Sequence, residues 1–354
     1  MSKRMRAVAA ALMLSTAALA AGTQPVLTPP EHRRGAEQTY LTFPEWFLVH
    51  SPAELADYLR DDRPAAAPSG FPFIRHIGQF WDSYISVSRS ASKVGEVNLG
   101  YHVMVLVIGI STTVEYALKA AYEGSIGRLT ELLRPGPGAE DRVAADVARE
   151  YVDFIRVQPW YEFDFLTALR RVWTSGPASD EESVLRRWER RWFLTHEYGV
   201  KAAYGWLIKK ATKAAYEEPL PVTAIVLDRS PPATVAGAPD LRCLSALSPP
   251  NGSLCTIPRY EAFNQHAQAL AQQGLNFVEI AGNRGDILVS LWHPTADAIG
   301  QLHETPGARP LFEQPLITKP GLHRHVIAVP VGELAEALRL WRGQGLKIEH
   351  VYDY

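Results

Sequence analysis

Residues 97–114 read VNLGYHVMVLVIGISTTV, a stretch without aspartate, glutamate, lysine or arginine that lies between Glu96 and Glu115. Its 18 residues are long enough for a transmembrane helix. On a helical wheel the polar residues share one narrow face and the apolar residues share the opposite one. The polar face holds Asn98, His102, Gly109, Thr112, Thr113 and Tyr116, and the apolar face holds Leu99, Val103, Leu106, Val107, Ile110, Val114 and Leu118.

This division of the segment allows two predictions. Because the polar face must contact protein or water, a membrane-spanning helix over 97–114 would pack on its neighbours through Gly109 and carry His102 inside the membrane. The alternative is a core helix whose less apolar side meets other helices. The choice decides whether the chain before and after the segment lies on one side of a bilayer or on two.

The N-terminus predicts export. Lys3, Arg4 and Arg6 form a positive region, residues 7–20 are uncharged, and Ala18-Leu19-Ala20 has the small residues that a signal peptidase accepts. We predict a signal peptide over 1–20, cleaved before Ala21, with an uncleaved anchor as the alternative, and a linker over 21–38. The expected location is the cell envelope, at the inner membrane rather than in the soluble periplasm.

Composition narrows the class of protein. The chain has 354 residues, of which 47% are hydrophobic and 21% charged, so two domains can each bury a core. The formal net charge of -2 provides no overall field that attracts nucleic acid. We therefore expect no nucleic-acid partner.

Two regions follow from the pattern of elements. Residues 39–218 are predicted to be helical and include the candidate transmembrane helix 97–114. Residues 219–354 are predicted to form an α+β domain, with strands at 222–227, 277–280, 287–292, 326–331 and 347–352 and helices at 260–273 and 333–342. This order is typical of a ferredoxin-like sandwich with one extra strand and helices on one face of a mainly antiparallel sheet. No internal repeat is evident.

A basic, tryptophan-rich stretch spans 183–216. Tryptophan with lysine and arginine on an amphipathic helix suits the headgroup region of an anionic membrane. The predicted membrane-surface residues are Trp188, Trp192, Trp206, Arg186, Arg190, Lys209 and Lys210. The alternative is a set of core tryptophans beside a solvated charged face.

The two cysteines test the predicted topology. Cys243 and Cys255 flank strong turn residues, so they would form a disulfide in an oxidising compartment. If the signal is cleaved and 97–114 spans the membrane, the C-terminal domain lies in the cytoplasm and the disulfide should not form. If 97–114 belongs to a soluble core, the domain is periplasmic and the disulfide should form.

Catalytic and metal candidates are weak. No common catalytic or nucleotide-binding motif occurs. His102 with Glu115, or Glu162 with Asp164, could act as acid and base, but His102 and Glu115 lie about 140° apart on a straight helix. His323 and His325 point the same way on a strand and could begin a metal site with His293 or His350. No cofactor is predicted.

These features give three hypotheses for function. The first is a non-enzymatic, membrane-associated envelope protein whose C-terminal α+β domain binds a ligand or protein partner, with membrane lipids as the main partner. The second is an envelope hydrolase that acts on lipid or glycan. The third is a soluble periplasmic binding module, which requires the disulfide and no membrane retention.

Overall fold

The computed structural model describes residues 25–35, 38–60, 67–93, 98–133, 137–176, 183–215, 221–247, 252–294 and 305–354. The predicted signal peptide 1–20 lies outside these residues. The predicted linker lies partly within them, and residues 25–35 dock on the C-terminal region. The backbone N–H and the side-chain hydroxyl of Thr28 both donate to the buried carboxylate of Glu279, each over 2.8 Å.

The described part of the N-terminal region is mainly helical. The helices are α1 (Gln38–Leu59), α2 (Phe73–Ala91), α3 (Leu99–Tyr122), α4 (Arg128–Leu132), α5 (Ala139–Ile155), α6 (Phe165–Thr174) and α7 (Val184–Ala215). A π-helical turn, Glu123–Gly127, joins α3 to α4, so the two form one rod. The side chain of Asn98 begins α3 by accepting the amide of Tyr101. Short 3-10 turns occur at Pro30–His32, Pro68–Gly70 and Trp160–Glu162.

The C-terminal region contains two units of the same topology. The first is β1 (Val222–Leu227), β2 (Arg242–Leu247), β3 (Gly252–Pro258), α8 (Glu261–Gln272) and β4 (Phe277–Ile280). The second is β5 (Asp286–His293), β6 (Arg309–Pro315), β7 (His323–Pro330), α9 (Val331–Gly343) and β8 (Lys347–Val351). Each forms a four-stranded antiparallel sheet, in the orders β2-β3-β1-β4 and β6-β7-β5-β8.

The α+β class is therefore confirmed, but a ferredoxin-like topology is not, because the strands form two sheets. The units also form an internal repeat that the sequence analysis missed. In each, a strand ends in proline, a helix follows, and a glycine with positive φ precedes leucine before the last strand. These glycines are Gly274 (φ 74°) and Gly345 (φ 75°), where a left-handed backbone disfavours other residues.

The first of two hydrophobic cores holds the C-terminal region together, and the second joins that region to the helices. The first contains side chains from both sheets and from α8 and α9, so the two units share one interior. The second lies on the opposite face of the second sheet, where Phe43, Phe47 and Phe80 pack near Val326 and Tyr352. Val105 of α3 belongs to this second core. The chain before α3 and the chain at the C-terminus therefore pack together.

Candidate functional site

The polar face and the apolar face predicted for 97–114 lie on opposite sides of helix α3. Gly109, Thr112 and Tyr116 of the polar face are buried against protein. The apolar face points away from the protein, with Leu99 72% exposed and Leu118 66% exposed. In the described part of the chain, one helix is long and apolar enough to cross a membrane. It is Leu99–Leu132, whose apolar window is only 28% buried.

Neighbouring helices also expose large apolar side chains. Helix α7 lies beside α3, since the Tyr122 ring stacks on Phe193 with 4.4 Å between centroids. We define the apolar face as the exposed large side chains on α3, on α4 with the next residue Leu133, and on α7. They are Leu99, Val103, Met104, Val107, Ile110, Val114, Leu118, Leu129, Leu132, Leu133, Val184, Leu185, Trp188, Trp192, Val200, Tyr204, Trp206 and Leu207.

The structure corrects the predicted surface position of two arginines. Arg186 and Arg190 are buried, Arg190 to 3% exposure. Arg190 pairs with Glu123 over 2.9 Å, and Arg186 pairs with Asp141 over 3.3 Å. Since an isolated buried charge is costly, these arginines face their acidic partners and not the exterior.

The remaining membrane-surface candidates lie at the exterior. Trp188, Trp192 and Trp206 are exposed. Lys210 lies over the Trp206 ring at 4.0 Å, and Lys209 pairs with Glu162. Of the residues predicted to lie at a membrane surface, the three tryptophans are therefore exposed and the two arginines are not.

Neither predicted acid and base pair is assembled. The Nδ1 atom of His102 lies 3.0 Å from the hydroxyl of Tyr84. Glu115 instead belongs to a ring of ion pairs between α3 and α7, formed with Lys119 (3.0 Å) and Lys201 (3.0 Å) and closed by Glu197.

Glu162 and Asp164 contact different residues. Asp164 begins α6 by accepting the amide of Thr167 over 2.9 Å, while Glu162 pairs with Lys209. Both acids therefore have local structural contacts.

The histidine pair lies on β7 beside an acid. His323 and His325 have ring centroids 6.3 Å apart, and Nδ1 of His325 lies 3.6 Å from a carboxylate oxygen of Glu313. His293 neighbours His325, whereas His350 stacks on Trp46. Within the described ranges, no group of three or more histidine, cysteine, aspartate or glutamate side chains could hold a metal ion.

The two cysteines are paired. Cys243 on β2 and Cys255 on β3 lie opposite each other in the antiparallel register and form a disulfide. The turn residues 248–251 between these strands lie outside the described residues.

Sequence analysis missed a buried polar cluster between α1 and the second sheet. Arg324, 1% exposed, donates to both carboxylate oxygens of Glu349 over 2.6 and 2.7 Å. It also pairs with Glu54 over 3.1 Å. Nε2 of His50 lies 3.1 Å from the hydroxyl of Tyr352. The Glu54–Arg324 ion pair and the His50–Tyr352 hydrogen bond therefore connect the helical region to the C-terminal region.

The cluster changes the protonation of its members. Although burial raises the pKa of Glu349, the charges of Arg324 and His50 hold it well below its ordinary value. Burial raises the pKa of Glu54. Burial, followed by the charge of Arg324, lowers the pKa of His76 to about 3, and burial lowers the pKa of His50 to about 3. Both histidines are therefore neutral at pH 7.

Ser51 connects this cluster to a cavity. Its hydroxyl lies 3.0 Å from Nδ1 of His76 and 2.8 Å from the hydroxyl of Tyr116. Ser51 and Tyr116 line a cavity of about 120 Å³ between α1, α3, α5 and α7. A buried water needs roughly 10–15 Å³ by this type of measure, so the cavity has room for several waters or a small organic group.

A sequence signal for the cluster does exist. His50, Ser51 and Glu54 interrupt an otherwise apolar stretch of α1 within one helical turn. Polar side chains on a buried helix need partners, but the sequence does not reveal that those partners are His76, Arg324 and the C-terminal strand.

No family model, curated protein or solved structure matches this chain. The two features of the molecule that bear on function are the apolar face and the buried polar cluster.

Proposed function

We propose that the protein is a cell-envelope protein that attaches to the surface of a lipid bilayer through the apolar face. The observation that carries this proposal is the exposure of the outer side of Leu99–Leu132, whose apolar window is 28% buried. Exposed apolar patches of more than a few hundred Å² are rare on monomeric soluble proteins and mark membrane or protein interfaces. A core helix would instead be mostly buried.

The composition of the face favours lipid. Burial of each large apolar side chain contributes about 1.5–3 kcal/mol, so insertion of even a few such side chains gives strong attachment. Trp188, Trp192 and Trp206 have the amphipathic rings found at the level of lipid headgroups. Lys210 beside Trp206 supplies a cation for anionic lipid.

The contacts around α3 favour a helix that lies along the membrane over one that crosses it. Glu54, before α3, pairs with Arg324, after it, and Tyr101 at the start of α3 contacts Tyr354 at the C-terminus over 3.3 Å. A bilayer that separated these residues would break the pairs. A rod about 50 Å long that keeps its polar side on the protein can instead bury its apolar side in the interface.

Export and ligand binding complete the proposal. The predicted signal peptide 1–20 directs the protein to the envelope, at the inner membrane, and the Cys243–Cys255 pair suits an oxidising compartment. The C-terminal α+β domain then binds its ligand or protein partner beside the membrane.

Vesicle flotation tests the attachment. The full-length protein should float with vesicles of phosphatidylethanolamine and phosphatidylglycerol and bind less to neutral vesicles. The double substitution Ile110→Glu, Leu118→Glu should weaken binding at least about 100-fold, because each change forfeits about 1.5–3 kcal/mol of burial. Leu244→Glu is the control, since Leu244 is an exposed leucine on β2 that does not belong to the apolar face.

Two outcomes would contradict the proposal. One is wild-type protein that stays at the bottom of the gradient with every vesicle composition. The other is equal loss of binding in the double variant and in Leu244→Glu. The first outcome, with an intact disulfide, would favour a soluble periplasmic binding module.

A further inference from the structure

Ser51 differs from an ordinary buried serine on a helix. Ser83 on α2 is equally buried and donates to the backbone carbonyl of Phe80 over 2.7 Å, which satisfies a core hydroxyl locally. The Ser51 hydroxyl instead contacts two side chains from other helices, His76 and Tyr116, and lies at a cavity wall. A nucleophile needs this combination of a neighbouring base and space for a substrate.

We propose that Ser51, His76 and Glu54 form a hydrolytic site for carboxylic esters, in which Ser51 is the nucleophile, His76 the general base and Glu54 the residue that orients His76. Ser51 lies 3.0 Å from Nδ1 of His76, and Nε2 of His76 lies 3.8 Å from Oε2 of Glu54. Neither of these last two buried atoms has a hydrogen-bond partner among the described residues. Catalytic contacts are often long before substrate binds, and a small movement closes this one.

The polar contacts from Tyr116 to Glu54 can all have the same donor-to-acceptor direction. Tyr116 donates to Ser51, Ser51 donates to Nδ1 of His76, and Nε2–H of His76 faces Glu54. Burial, followed by the charge of Arg324, lowers the pKa of His76 to about 3, so His76 is neutral at pH 7 but becomes an effective base only when the Glu54 carboxylate moves closer and raises that pKa. Tyr116 also lines the cavity, so its hydroxyl can donate to the oxygen that becomes negative during attack.

The cavity indicates the substrate class. Its wall combines apolar side chains, among them Phe47, Leu48, Leu55 and Phe73, with charged ones that are paired with each other, such as Glu115, Lys119, Glu197 and Lys201. The apolar part of the wall suits the short acyl group of an ester, and the volume of about 120 Å³ limits that group to a few carbon atoms.

The reaction balances without a cofactor. The Ser51 oxygen attacks the ester carbonyl carbon while its proton passes to His76. The alcohol then leaves with that proton, and an acyl group remains on Ser51. Water attacks the acyl-serine, gives a proton to His76, and the proton returns to Ser51 as the carboxylic acid departs. The net change is ester plus water to acid plus alcohol.

Hydrolysis of p-nitrophenyl acetate and p-nitrophenyl butyrate by the full-length protein tests the site. Ser51→Ala should reduce the rate at least about 100-fold, since it removes the nucleophile. Ser83→Ala should change it less than about twofold. Loss of activity in His76→Gln, with an unchanged circular dichroism spectrum, would assign the base.

A second measurement does not depend on variants that might misfold. A fluorophosphonate probe should label wild-type protein on Ser51, identified by peptide mass. Folded wild-type protein that neither hydrolyses the esters nor carries the label on Ser51 overturns the proposal. Because both esters are soluble and need no bilayer, this outcome is independent of the vesicle test.

Discussion

The helical region and the C-terminal region treat their apolar side chains differently. In the described part of 221–354, Leu244 is the one exposed large hydrophobic residue, and the two βββαβ units enclose their core almost completely. In the helical region, by contrast, exposed large hydrophobic residues recur from Ile74 to Leu207. The helical region therefore leaves many large apolar side chains exposed, whereas the described part of the C-terminal region exposes only Leu244.

This difference separates the two regions by how they pack. The two βββαβ units enclose a filled core, whereas the helices attached to them leave large apolar side chains exposed. The buried polar cluster lies at the junction, where Glu54 from α1 meets Arg324 and Glu349 from the second sheet. The strongest tests of the comparison therefore act on this junction.

The largest expected effect comes from Arg324→Ala. The substitution leaves the buried carboxylates of Glu54 and Glu349 without their cation, so the free energy of unfolding should fall by about 3–5 kcal/mol. Urea unfolding measures the change. Arg309→Ala is the control, since Arg309 pairs with Asp286 at the surface and should cost about 1 kcal/mol or less. Equal losses in the two variants would show that the junction is not held by buried charge.

Acidification should weaken the same junction. In the folded state the pKa values of His50 and His76 are about 3, below the ordinary value near 6.5 of the unfolded chain. Their contribution to stability is therefore complete above pH 6.5 and is lost as the pH falls toward 3. From pH 7 to pH 5 each histidine should cost about 2 kcal/mol. The charged or titratable groups that face them are Glu54, Arg75, Arg156, Arg324, Glu349 and His350.

Unfolding curves in urea at pH 7, 6 and 5 measure this loss. The variant His50→Gln, His76→Gln should show a flatter dependence on pH, whereas replacement of the exposed His196 by glutamine should leave the dependence unchanged. A wild-type stability that stays constant from pH 7 to pH 5 would contradict the prediction.

The sequence predicted periodic features and missed contacts between distant elements. The prediction of a polar and an apolar face for 97–114 is correct, because helical periodicity alone separates Gly109 and Thr112 from Ile110 and Val114. Among the strands, β1 and β4 match the predicted bounds. Their alternating or continuous apolar residues carry a local signal.

The missed strands and partners have physical reasons. Strand β6, with Pro310 and Pro315, is an edge strand, where proline is tolerated but weakens the strand pattern. The repeat was missed because its units share mainly a proline and a glycine–leucine pair. Arg186 and Arg190 were placed at the surface because a helical wheel does not show that Asp141 and Glu123 lie opposite them.

Loss of the disulfide should lower the stability of the protein without changing vesicle binding. Cys243 and Cys255 are 12 residues apart, and closing a loop of this size contributes about 3 kcal/mol in the chain-entropy model. The double substitution Cys243→Ser, Cys255→Ser should lower the free energy of unfolding by that amount. Vesicle binding below the unfolding temperature should not change, because the disulfide joins β2 to β3, and neither strand contributes a residue to the apolar face. Loss of vesicle binding in folded variant protein would contradict this independence.

The smallest effect tests how α3 is held with its apolar side outward. A Cβ atom on Gly109 would lie 2.2 Å from a ring carbon of Phe80, so α2 and α3 touch at this glycine. Gly109→Ala should therefore destabilise the protein by about 1–3 kcal/mol through overpacking. Gly78 on α2 has nothing within 4 Å of the same atom, so Gly78→Ala should stabilise the protein by about 0.5–1 kcal/mol through helix propensity. Thermal unfolding of both variants measures two shifts of opposite sign, and a stabilising Gly109→Ala would mean that the polar side of α3 does not pack closely on the protein.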